Sequence, residues 1–139
     1  MSGTTFSTID NGSSLVNNSL LLVQDFLQEI LFNINALDTN ALPHQFHWNT
    51  EVSGLTTDIS TFVELTTLVS KAMLKHNMGS VPDIKESHIH LLFIMKAMNQ
   101  AVQKQDLVVL EELIKYELKD NLTQWKIDLI PQMKRLQNL

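Results

Sequence analysis

Between Asn40 and Asn77 the apolar residues fall into one strict rhythm. Trp48, Val52, Leu55, Ile59, Phe62, Thr66, Val69 and Met73 recur at alternating spacings of four and three. That rhythm places all of them along one seam of a long helix, and such a seam is stable in water only when other helices cover it. The seam therefore fixes the class of fold before composition is consulted: all-α, an antiparallel four-helix bundle with one overlong helix at about 40–77. A continuous helix over that span measures about 57 Å at 1.5 Å per residue, longer than any other segment of the chain.

The covering helices are present in the sequence. A first helix starts at a Ser13 or Ser14 cap and carries the stripe Val16, Ser19, Val23, Phe26, Ile30, Ile34 and Leu37, widened by Leu22, Leu27 and Leu31. It stops at the polar Asp38-Thr39, and Pro43 then falls in the first turn of the second helix, where its missing N–H costs little. The alternative is that Pro43 ends the first helix and 39–57 is a loop. The seam keeps its phase from Trp48 through Gly54, which favours the helix, with Gly54 the point at which it would bend. Gly79 suits a left-handed helix end, Ser80-Val81-Pro82 reads as a linker, and Asp83 with Glu86 resembles a capping box. The third helix then shows Ile84, His88, Leu91, Met95, Met98 and Val102. Ile89, Leu92, Phe93 and Ile94 leave it so little polar surface that it is expected to be the most buried. Asp106 caps a fourth helix with the stripe Leu107, Leu110, Ile114, Leu118, Leu122, Trp125 and Leu129, which Pro131 ends or kinks at Ile130. The expected organisation is a flexible tail at 1–13, with Phe6 and Ile9 available to dock on the bundle end. One helical-bundle domain follows at 14–131, with a C-terminal tail at 132–139 holding Lys134 and Arg135.

Charge restricts the partners. Residues 1–70 hold Asp10, Asp25, Glu29, Asp38, Glu51, Asp58 and Glu64 and no lysine or arginine, a balance of −7; ten basic and eight acidic residues follow, a balance of +2, for −5 in all. A phosphate-tracking protein needs a basic stripe, so no nucleic-acid partner is expected. Leu20–Leu37 is broken by Asp25, Gln28 and Glu29, short of the uncharged run a membrane span requires. With no cysteine, disulfides, thiolate metal sites and cysteine nucleophiles are excluded. The N-terminus lacks a basic signal-type region, and the expected location is cytoplasmic.

Helical bundles often carry metals, which makes the histidines the first candidate ligands. A carboxylate-bridged di-iron site uses Glu-x-x-His on two helices, and no Glu-x-x-His occurs here. His47 and Glu51 share a helix face at i, i+4, with His44 one turn before. His44, His47 and Glu51 form the one arguable metal set, and His88 is a conceivable fourth ligand that antiparallel packing should hold far away. Met73, Met78, Met95 and Met98 suit either plain core or an adaptable groove. No Ser/His/Asp order, phosphate loop or catalytic carboxylate pair appears, so no catalytic residue and no cofactor are expected.

Gln105-Asp106-Leu107-Val108-Val109-Leu110-Glu111-Glu112-Leu113-Ile114-Lys115-Tyr116-Glu117-Leu118, followed by Trp125, resembles the C-terminal hairpin of small helical proteins of low-GC Gram-positive bacteria. Their pattern reads roughly K-D-Y-V-L-L-x-D-L-L-E-Y-E-L, and they share a Leu-Pro like Leu42-Pro43 near the start of a long helix. Leu107 and Glu112 depart from it, where the pattern has an aromatic and an aspartate. The resemblance implies a fold and no assigned activity, in a family sometimes found near motility genes. The expected function is a non-enzymatic interaction module of adaptor or chaperone-like kind, by analogy of size with flagellar export chaperones. Its expected partner is an unidentified protein or a second copy, with Trp48 as the candidate contact. The alternative is a metal- or small-ligand-binding bundle.

Overall fold

The computed structural model describes the backbone of residues 2–37, 48–75 and 82–137, and the side-chain surroundings of 14–37, 50–75 and 82–136. Among the described residues there are four helices and no strand. α1 is Ser2–Ala36, α2 is Trp48–Lys75 and α3 is Lys85–Gln103. α4 is a composite running without a break from Leu107 to Gln137. Each helix packs on two neighbours in cyclic order, α1 on α2, α2 on α3, α3 on α4 and α4 on α1. The end of α1 meets the start of α2, and the start of α3 lies against α4 from its middle at Asn121 to Leu129. Sequential neighbours therefore run antiparallel, and the fold is the expected four-helix bundle. No described helix is long and apolar enough to cross a membrane.

The α2 seam is the spine of the core. Val52, Leu55, Ile59, Phe62, Thr66, Val69 and Met73 are all buried. The outer parts of the expected long helix, 40–47 and 76–77, lie outside the described residues, as does the Gly79 cap. The 28 residues described are fewer than the 35 of α1, because α1 gains length from a helical 2–13, so among the described residues α2 does not stand out as the overlong helix. α2 continues through Gly54 as unbroken helix.

α1 buries Val16, Leu20, Val23, Leu27, Ile30 and Ile34, again alternating four and three, with Leu31 beside them. This seam shares four residues with the expected stripe but takes Leu20 and Leu27 in place of Ser19 and Phe26. Leu22, expected to widen the face, is exposed. Two seams are available along this leucine-rich helix, and the neighbours select the more apolar one. Where a tail is expected at 1–13, the backbone is helical from Ser2 and continuous with the rest of α1. Extending an existing helix adds one hydrogen bond per residue without a new nucleus, so the segment needs no core of its own to become helical. The side chains of Phe6 and Ile9 lie outside the described residues.

α3 overturns the expectation that it is the most buried helix. Only Leu91, Ile94, Met98 and Ala101 within it are buried, with Ile84 at its entrance, while Ile89, Leu92 and Phe93 face solvent. With neighbours on two sides only, α3 covers one stripe. At about 100° per residue, Ile89 and Phe93 stand roughly opposite Leu91. Its start also differs in detail from a capping box. Asp83 Oδ1 accepts the Lys85 N–H at 3.0 Å, ahead of an N-cap at Ile84 that has no side-chain bond.

The α3–α4 turn is tight. Gln105 takes a positive φ of 55°, the Asp106 N–H bonds the Ala101 carbonyl at 2.8 Å, and the Gln105 N–H bonds Val102 at 3.0 Å. Those are the paired bonds of a Schellman ending, with glutamine where glycine is usual. Asp106 then caps α4 by accepting the Val109 N–H at 3.2 Å, as expected.

α4 contains two wide π turns, Leu113–Leu118 and Trp125–Leu129. Lys119 N–H reaches back to the Ile114 carbonyl, and Ile130 N–H to that of Trp125. Buried Leu110, Ile114, Leu118 and Leu122 follow one another at steps of four. In a pure α-helix each such step drifts about 40° off the seam, and the wider turn takes up that drift. Pro131 was expected to end or kink the helix, with 132–139 as a tail. Instead helix continues to Gln137, Met133 is fully buried, and Lys134 Nζ donates to Gln24 Oε1 of α1. A proline ring collides with the carbonyl four residues back, and the wide turn directly before Pro131 opens the backbone at that point.

A candidate partner-binding groove

Asn121 and Thr66 are the two buried polar side chains among the described residues, and each ties α3 to a neighbour. Asn121, on α4, donates through Nδ2 to His90 Nδ1 at 3.0 Å and to the Ser87 carbonyl at 3.4 Å, while its Oδ1 accepts from Ser87 Oγ at 3.4 Å. Because His90 accepts at Nδ1, its proton in the neutral form sits on Nε2. A buried amide left unpaired costs about 1–3 kcal/mol, so this set of bonds specifies the register of α4 on α3.

Thr66, on α2, does the same from the other side. Its Oγ1 lies 2.7 Å from His88 Nε2 and 2.8 Å from the Phe62 carbonyl. The carbonyl can only accept, so with the hydroxyl proton given to Phe62, His88 Nε2–H donates to the oxygen. The imidazole stacks on Trp125 at 5.4 Å and 19°, and Phe62 meets the same indole edge-on at 5.1 Å and 84°. Burial holds the His88 pKa below its usual 6.5. Trp125 Nε1–H is buried with no acceptor among the described residues.

Above the Asn121 bonds, α3 and α4 enclose an open groove of about 720 Å³. Its apolar wall is made by Ile89 and Phe93, 56% and 67% exposed, with Leu129 opposite. Carboxylates mark both rims: Asp83 and Glu86 on the α3 side, Asp120 and Asp128 on α4. Asp128 accepts from Gln132 at 2.7 Å, a neutral donor that leaves the charge in place. The ion pair among the described residues is Glu111–Lys115 at 2.8 Å, at i, i+4 on α4 as the sequence suggests, and among those residues no groove carboxylate is ion-paired.

The residues singled out in the sequence lie elsewhere. Glu51 is exposed and lines a smaller cleft of about 300 Å³ between the end of α1 and the start of α2, with Asn33, Gly54 and Asp58. Trp48 is the first residue of α2, and its side chain lies outside the described residues, as do His44 and His47 entirely. No three His, Asp or Glu side chains among the described residues are grouped to hold a metal ion. His88 is engaged by Thr66 and Trp125. Met73 and Met98 are fully buried and Met95 partly so, which makes them core rather than groove; Met78 lies outside the described residues. The α3–α4 groove itself went unread in the sequence. Its one local signal is Asp120, Gln124 and Asp128 at i, i+4 and i+8, a spacing that reads equally as a solvated face. Comparison with known proteins finds no family model that matches the chain, no similar curated protein and no similar solved structure.

Proposed function

We propose that this chain is a non-enzymatic protein-interaction module, adaptor- or chaperone-like in character, that engages its partner through the outward face of α3. The observation carrying this reading is that Ile89, Leu92 and Phe93, at i, i+3 and i+4, are each more than half exposed on one helix. Single exposed apolar residues are ordinary, whereas a contiguous group marks an interaction surface. Full burial of each such side chain is worth about 1.5–3 kcal/mol, so three together supply a binding core of useful size. The exposed face adjoins the α3–α4 groove, which gives a partner shape as well as area.

The test is a photo-crosslinking residue placed at Phe93 of the full chain in its native cells, with Gln28 on the exposed side of α1 as control. A discrete adduct from position 93 and none from position 28 is expected. No adduct at 93, together with a strictly monomeric mass by light scattering, refutes the reading.

A further inference from the structure

Resting on that reading, we infer that the α3–α4 groove takes a basic amphipathic helix of a partner protein. The apolar wall of Ile89, Phe93 and Leu129 lies between Asp83 and Glu86 on one rim and Asp120 and Asp128 on the other, and the residues lining the groove include no lysine or arginine. The rim carboxylates lie within a Debye length of the groove, about 10 Å at 0.1 M salt. An acidic segment, a nucleic-acid backbone or an anionic lipid surface would bring like charge against them. A cationic segment relieves their mutual repulsion instead.

The shape selects a helix. Both walls are helices whose backbone groups are bonded within themselves, so there is no strand edge for an extended peptide to join, and an apolar groove between two helices suits helix-in-groove docking. From Asp83 to Phe93 the α3 wall measures about 15 Å. That length matches a ligand helix of roughly three turns, with apolar anchors at i, i+3 or i+4, and i+7 facing Ile89, Phe93 and Leu129, and lysine or arginine flanking them toward the rims.

The experiment uses the full chain and a fluorescein-labelled leucine/lysine amphipathic helix of about three turns, read by anisotropy at moderate salt. The leucine/glutamate version of the same peptide is the comparison. The groove variant is Asp120→Asn with Asp128→Asn. The charge-matched control is Asp25→Asn with Glu29→Asn, on the exposed face of α1, and far-UV circular dichroism confirms that both remain helical. The lysine peptide is expected to bind and the glutamate peptide not. The groove variant is expected to weaken binding by about fivefold, the sum of two rim charges, and the control by less than about twofold. Equal weakening by both variants reduces the effect to general charge attraction and overturns the inference, as does equal binding of the two peptides or none by either. A stable dimer of the chain that the groove variant dissociates also overturns it, because the occupant would then be a second copy. If the inference falls while Phe93 still crosslinks a partner in cells, the interaction reading stands and only the partner chemistry is lost.

Discussion

Replacing Gly54 by alanine is expected to stabilise the fold. Gly54 lies well inside α2, well over a full turn from either end, so it carries the whole entropic cost of glycine in a helix interior. A methyl group built on its Cα meets no described neighbour within 4 Å, so no clash with those residues offsets the gain. The position is exposed, so the methyl also brings no burial of its own. What remains is the propensity difference alone, about 0.8–1.0 kcal/mol. For a chain of this size that corresponds to a rise of roughly 3–5 °C in Tm. In urea it moves the midpoint upward by about 0.5 M with no change in slope. Circular dichroism melts and urea titrations of Gly54→Ala against the parent chain read both. A midpoint unchanged or lowered would refute the reasoning, because it would mean that α2 needs glycine here. That need would come from a bend or from something seated in the neighbouring cleft.

The converse change concerns Gln105, held at φ 55° in the Schellman ending of α3. Gln105→Gly is expected to stabilise by about 1 kcal/mol in the same urea assay, and a loss would refute the strain. Phe62 is fully buried against Trp125, so Phe62→Ala should cost about 3–5 kcal/mol; a loss below about 1 kcal/mol would contradict the packing described. His88 should make the fold acid-sensitive. Burial lowers its folded pKa below 6.5, so the unfolded chain binds the proton first. The His88 contribution is therefore complete above about pH 6.5 and falls away as the pH drops through the folded pKa. His88→Gln, which keeps a donor for Thr66, should give a flatter stability profile between about pH 7 and pH 5, and parallel profiles would count against it.

The α2 seam was legible because its spacing admits one face only, and every residue of it from Val52 to Met73 is buried. α1 was legible as a helix but not in its exact face, since Leu20, Leu22 and Leu27 permit two seams and only contact with α2 and α4 decides between them. On α3 the same abundance of apolar residues read as deep burial, when two neighbours could cover only one stripe. At Pro131 the usual rule that proline ends a helix gives way, because the wide turn just before it, invisible in the residue pattern, opens the backbone there. The groove was hidden for a different reason. Glu86 and Asp120 are distant in sequence, and they share a groove only in the register that Asn121 imposes through Ser87 and His90. No property of Asn121 in isolation distinguishes it from the other asparagines of the chain.

The two wide turns of α4 have a further consequence for how this chain tolerates change in length. Each π turn holds one residue more than the α turn it replaces, so α4 carries a surplus residue at Leu113–Leu118 and another at Trp125–Leu129. Deleting a residue inside either turn tightens it to ordinary helix while Leu110, Leu122 and Met133 keep facing the core. A deletion at the centre of α1 or α2, where no slack exists, rotates everything beyond it by about 100° and turns the seam outward. Among the described helices α4 is thus the one with π turns to give up, and a ladder of single-residue deletions along them would find permissive sites at those two turns.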